Sequence, residues 1–203
     1  MNHKIIHQGL DNIATRDSDV AKALEQLGYP EPRIRAQGFE TFFSIVVSQQ
    51  LSTHAATAIM GRARDLIPEL NAQSVNSLTA DELRGIGLSR QKVTYIQGLC
   101  QAVLDGSFDP DALESMDNDT AIKQIVALKG FGSWSAEIYL MFSLQRPDIF
   151  PSGDLALLQS LQRLKRLDEK PTPKQAQQII AHWSPWRSVG SLFLWHYYHG
   201  APT

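Results

Sequence analysis

Almost every segment of this chain carries apolar residues at helical spacing, and none alternates apolar and polar residues as a half-buried strand does. That leaves little room for a sheet. The 203 residues must bury their apolar stripes helix against helix. Cap chemistry marks the boundaries. Ser18 and Asp19 are placed to cap a helix over 20–27, which the turn Gly28-Tyr29-Pro30-Glu31-Pro32 ends. A helix is expected over about 53–67. Thr79 with Glu82 three residues on forms a capping box, and Ser89 caps a helix to about Leu104. Further helices are expected over 118–128, 134–144, after Asp154, over 174–182 and over 186–198. Residues 39–47 are apolar enough to be a strand or a buried helix by pattern alone. The first 19 residues soon turn polar and receive no helix. The expected fold class is all-α.

Several function classes fall away on composition. A formal net charge of −2 provides no global basic field, so a polyanion would have to be met by a local patch or by backbone N–H groups. Cys100 is the only cysteine, which excludes an intramolecular disulfide, a four-cysteine zinc site and a four-cysteine iron–sulfur cluster, and fits a reducing compartment. No run approaches the roughly 18 apolar residues of a membrane span, and no signal-peptide core is present. The expectation is a soluble intracellular protein with no membrane partner. The six histidines form no metal triad; His54, His196 and His199 read as surface or interfacial.

One stretch asks for more than packing. In LKGFGSWSAE (128–137), Gly130 and Gly132 stand one residue apart just before a helix. Two glycines there imply positive φ or a close approach to the backbone. One reading is a tight connection between antiparallel helices. The other uses the amides that open the second helix: a phosphate oxygen reaches the N–H groups of Gly130, Gly132 and Ser133, the helix dipole favours the anion, and Lys129 adds a charge. Ser133 is the expected cap. The carbonyls of Leu128 and Gly130 are the expected place for a structural monovalent cation, Na⁺ or K⁺, with no other cofactor required. LRGIGLS (83–89) echoes LKGFGSW (128–134), and Ser89, Arg90 and Lys92 are candidate phosphate contacts at that second helix start.

The block from LKGFGSW to FPSGDLAL (128–157) resembles the helix–hairpin–helix and Gly/Pro-loop-Asp signature of the DNA glycosylase superfamily. With SQQLSTHAA (48–56), GLSRQKVTYI (87–96) and WSPWRSVGSLFLW (183–195), the chain is similar to the 3-methyladenine DNA glycosylase II branch. The resemblance implies two helical lobes with a DNA-binding cleft in one compact domain over 1–203. The middle lobe is expected at about 38–145, with its hairpin at 120–144, and the second lobe at about 1–37 plus 146–203. No separate N-terminal β domain is expected, because too little chain precedes SQQLS.

The resemblance also assigns roles. It places the catalytic carboxylate at Asp154, where a fixed negative charge stabilises the oxocarbenium-like sugar cation and orients or deprotonates water. Read alone, Asp154 is also a helix N-cap, and the two roles are compatible. Trp134 occupies the position where relatives that also cut the backbone carry a Schiff-base lysine, which implies a lyase-free enzyme leaving an abasic site. Trp134 and Trp195 match pocket aromatics that attract a cationic alkylated base, against the alternative that both are core packing. Ile138 stands where the family often has an aromatic, and Tyr139 beside it is a further pocket candidate. Gln50, Leu51 and Ser52 are the candidates for plugging the duplex once the target base has left the stack, against the alternative of an ordinary helix start. Arg187 reads as a structural bridge.

The implied function is excision of alkylated purines, of the 3-methyladenine and 7-methylguanine type, from double-stranded DNA by a monomer, in the nucleoid of a bacterium or the nucleus of a eukaryote. The alternatives are other damaged purines (ethenoadenine, hypoxanthine) or a non-catalytic helix–hairpin–helix DNA-binding protein.

Overall fold

A computed structural model describes residues 1–200, and among these all regular structure is helical. The α-helices are α1 His3–Ala14, α2 Ser18–Leu27, α3 Phe39–Ser48, α4 Thr53–Leu66, α5 Ala72–Asn76, α6 Ala80–Gly85, α7 Arg90–Leu104, α8 Asn118–Ala127, α9 Ser133–Phe142, α10 Leu155–Lys165, α11 Pro173–Ile179 and α12 Arg187–Gly200. Short 3-10 turns lie at Ala112–Ser115 and Ala181–Trp183. Among the described residues, no helix is long and apolar enough to cross a membrane.

Local chemistry sets most helix starts. The Thr79–Glu82 capping box is formed in both directions, and Ser52, Ser89 and Asp154 each accept an N–H two or three residues into the helix they open. Two caps differ from expectation. Asp17, not Ser18 or Asp19, accepts the Val20 N–H at the start of α2. Ser133 is already helical, and Gly132 holds the preceding position with its carbonyl accepting from Ala136. Residues 39–47, ambiguous by pattern, form α3, with Phe42, Phe43, Ile45, Val46 and Val47 all buried. Helix α1 had no sequence expectation. Asn2 caps it, and Ile6, Leu10 and Ile13 make a narrow buried stripe among polar neighbours.

The chain divides into two compact units, one of Arg35–Ala136 and one of Met1–Ile34 with the residues from Glu137 onward. The second division falls inside α9 rather than after residue 145. In the contiguous unit, α3 packs on α4 and α7, α5 and α6 pack on α7, and the buried Phe42 ring meets Phe108 and Phe131 edge-on at 5.1 and 5.7 Å. In the discontinuous unit, α1, α2, α10 and α12 pack around Ile6, Leu10, Leu157, Leu161 and Phe193. Its main buried polar node is Asp17, which accepts from Lys165 Nζ at 2.5 Å and Trp183 Nε1 at 2.7 Å, with His182 Nε2 at 3.0 Å.

Candidate active site and nucleic-acid interface

The hairpin is α8, a turn over 128–132, and α9, of which Ser133–Ala136 belongs to the contiguous unit. Its two glycines are needed for different reasons. Gly130 has φ of +95°, and a Cβ there would fall inside the ring of Tyr95. Gly132 is not in the left-handed region, and a Cβ on it would meet nothing within 4 Å. The first glycine builds the turn; the second leaves its backbone open beside exposed Lys129 and Ser133. The 83–89 echo is not equivalent residue for residue. There the positive φ, +106°, is at the second glycine, Gly87, while Gly85 ends α6.

Ser89 caps α7 through the Lys92 N–H, and Arg90 is exposed beside it. Lys92 does not lie open for a phosphate. Its Nζ donates to Val47 O at 2.7 Å, at the carbonyl end of α3, and burial lowers its pKa.

Residues 49–52 link α3 to α4. Gln50 takes φ of +55°, Leu51 is 40% exposed, and the Ser52 hydroxyl is occupied as the α4 cap. Positive φ at a glutamine is uncommon backbone strain. Gln49 reaches across 81 residues to the hairpin, donating Nε2 to Gly130 O at 2.7 Å. A cavity of about 380 Å³ is lined by Gln49, Gln50, Lys92, Tyr95, Gly130 and Trp134, whose indole is 47% exposed. At the expected cation position, Gly130 O accepts from Gln49 and Leu128 O from the Phe131 N–H, and each carbonyl keeps a second lone pair.

The discontinuous unit holds Asp154. The 146–154 loop is tied to the start of α12. Arg187 grips Asp148 with Nε and one terminal nitrogen, each at 2.7 Å, and Ser188 Oγ donates to Arg146 O and accepts from the Ile149 N–H. Arg187 is therefore structural. Asp154 Oδ1 accepts the Leu157 N–H at 3.0 Å as cap of α10, and Trp195 Nε1 at 3.3 Å. Trp195 is only 8% exposed. Phe142 lies 5.8 Å from its ring and the Arg33 guanidinium 5.9 Å. Its indole meets Asp154 with its N–H and borders a cavity of about 150 Å³ with Arg33 and His196, while most of its surface is packed, as the alternative reading had it. Tyr139 is fully buried, so the expectation of a pocket-lining ring there is corrected to core packing.

One residue escaped the sequence reading. Glu137 of α9 is half-buried without a hydrogen bond, and its carboxyl is pushed up to about 7, first by burial and then by the Asp154 charge. An acid inside an otherwise apolar helical run, three residues after Trp134, was the available signal.

Residues 43–185 match the family described as HhH-GPD superfamily base excision DNA repair proteins. The chain belongs to this superfamily. A crystal structure of the Bacillus halodurans DNA-3-methyladenine glycosidase, another HhH-GPD fold, superposes with a TM-score of 0.85 at 31% identity, covering 95% of this chain and 89% of that one. The Schizosaccharomyces pombe 3-methyladenine DNA glycosylase, solved with abasic DNA, gives 0.81 at 24% identity over 93% and 95% of the two chains, a likeness of fold. By sequence, DNA-3-methyladenine glycosylase 1 of S. pombe is 26% identical over 79% of this chain and 72% of its own. The chain spans less than half the length of two Bacillus subtilis relatives it matches by sequence, the second a DNA-3-methyladenine glycosylase, at 43% and 41%.

Proposed function

We propose that this chain is a DNA glycosylase that hydrolyses the N-glycosidic bond of alkylated purines in duplex DNA and leaves an abasic site. The observation that carries this reading is Asp154, a carboxylate fixed by two donors in a loop anchored to α12. A carboxylate oriented before the reaction stabilises the cation that develops on the sugar at little reorganisation cost. It also orients or deprotonates the attacking water. A 3-methyladenine or 7-methylguanine base is cationic before cleavage and leaves neutral, so it needs no proton from the protein. The half-exposed indole of Trp134 suits such a cation. The names of the glycosylase relatives support the substrate class.

In this reading the hairpin amides and Lys129, with Ser89 and Arg90, hold phosphates, and Gln50 or Leu51 fills the gap left by the flipped base. Ser52 is a weaker candidate, since its hydroxyl caps α4. Trp134, in place of a lysine, leaves no Schiff-base nucleophile there, so no strand cleavage accompanies base release. No metal step enters the chemistry. Action on chromosomal DNA puts the protein in a bacterial nucleoid or a eukaryotic nucleus.

A second reading has one observation behind it. Glu137 holds a proton up to about pH 7 beside Asp154, and a neutral lesion such as hypoxanthine or ethenoadenine needs a proton as it departs. Free base released from methylated duplex DNA is the deciding measurement, with intact protein and Asp154→Asn compared and products run with and without alkali. Release by the intact protein alone, with strand breaks only after alkali, is expected. Breaks without alkali would overturn the lyase-free claim. Tight DNA binding with no release would favour a binding module.

A further inference from the structure

We propose that Gln49 is a positioning residue that joins the 49–52 loop to the hairpin, so that the hairpin's grip on the DNA backbone sets where the plug enters the duplex. The inference rests on the glycosylase reading of the hairpin and loop given above. The geometry supporting it lies within the contiguous unit. The Gln49 amide donates to Gly130 O at 2.7 Å, and that carbonyl belongs to the residue whose conformation defines the turn. Tyr95 closes on Gly130 and leaves no room for a side chain there. Lys92 holds the end of α3, just ahead of Gln49, through Val47 O. Directly after these two ties the chain passes through Gln50 at φ +55°, a conformation that neighbouring structure must hold in place.

The loop is thus pinned where it leaves α3, and one of its pins is the hairpin backbone itself. A phosphate seated on the exposed amides after Gly130 would bear on the same turn that receives Gln49. Gripping the strand and plugging the gap then become one event. Gln49 need not touch DNA to do this; it fixes the register between the two contact points.

The test separates opening the duplex from cutting. Gln49→Met keeps the length and removes the donor; Gln49→Glu keeps the shape and sets a carboxylate against the carbonyl, a second variant should the first fold poorly. Each is assayed on duplexes carrying 7-methylguanine opposite cytosine, or opposite an abasic analogue where the base is already unpaired. Excision from the paired site is expected to fall roughly tenfold or more through kcat, the scale on which small misplacements act. Excision from the unpaired site is expected to stay within about threefold. Fluorescence of 2-aminopurine beside a tetrahydrofuran site should rise less with the variants than with the intact protein. Equal losses on both substrates, or none on either, would overturn the coupling. If the intact protein opens the duplex in a Gln49-dependent way yet releases no base, the coupling stands and the alkylpurine reading fails.

Discussion

Asp154 serves both folding and chemistry, and one substitution separates the two. Asparagine caps a helix about as well as aspartate, so Asp154→Asn keeps an acceptor for the Leu157 N–H while removing the charge. Thermal stability should change by less than about 1 kcal/mol, while base release falls by roughly 10²–10³-fold. A comparable loss of both would mean that the residue acts through the fold alone. Glu137 makes a pH prediction. Its folded pKa of about 7 lies above the unfolded value near 4.5. Between these values the folded chain keeps a proton that the unfolded chain has lost, so stability falls as pH rises through this window, by up to about 3 kcal/mol. Glu137→Gln should abolish that slope, raising the melting temperature at about pH 8 more than at about pH 5. A parallel shift at both pH values would refute it. Asp154 was legible in sequence because its loop motif and cap chemistry are local. The tie of Gln49 to Gly130, 81 residues away, and the Trp195 N–H on Asp154, 41 residues away, depend on tertiary neighbours that no local pattern encodes.

At the scale of elements, the hairpin glycines should respond in opposite ways. Gly130→Ala meets both a left-handed backbone and the Tyr95 ring, and should cost about 1–3 kcal/mol or more in denaturant melts. Gly132→Ala meets open space and should cost about 0.5 kcal/mol or less, while weakening binding to duplex DNA, because a methyl group would stand where a phosphate approaches. Unchanged DNA affinity for Gly132→Ala, measured by fluorescence anisotropy, would remove this glycine from the interface. Most helices could be read from caps and spacing, as at Thr79, Ser89 and Asp154. Helix α1 could not. Its buried stripe is only Ile6, Leu10 and Ile13 plus a glycine, and its stability comes from packing on α2 and α12 rather than from propensity. Residues 39–47 could be assigned only once their surroundings were known, since a short apolar run suits a buried helix and a buried strand alike.

At the scale of the whole molecule, acid should act unevenly. In the discontinuous unit, burial tends to raise the pKa of Asp17, but bonds from Lys165 and Trp183 outweigh it and leave the carboxyl below its usual range. Asp148 is held down in the same way, against burial, by Arg187. A depressed carboxylate contributes stability above its unfolded pKa and loses it as pH falls through the folded value. The lowered acids of the other unit, Glu82, Asp105 and Asp117, are exposed and contribute little. Hydrogen exchange at about pH 3 should therefore show protection lost first around α2 and α10, and first loss within Arg35–Ala136 would contradict this. Asp17→Asn should cost about 3 kcal/mol, the low end for a buried pair, because Asp19 still holds Lys165.

The discontinuity of that unit also bears on synthesis. Helices α1 and α2 are made before the whole of Arg35–Ala136, and the helices they pack on, α10 and α12, after it. At roughly 5–20 residues per second, the earliest helices wait on the order of ten to thirty seconds for their partners. That interval covers the synthesis of the whole contiguous unit. Until α12 is made, α1 has only α2 to cover Ile6, Leu10 and Ile13, and transiently exposed apolar surface of this kind is what chaperones bind.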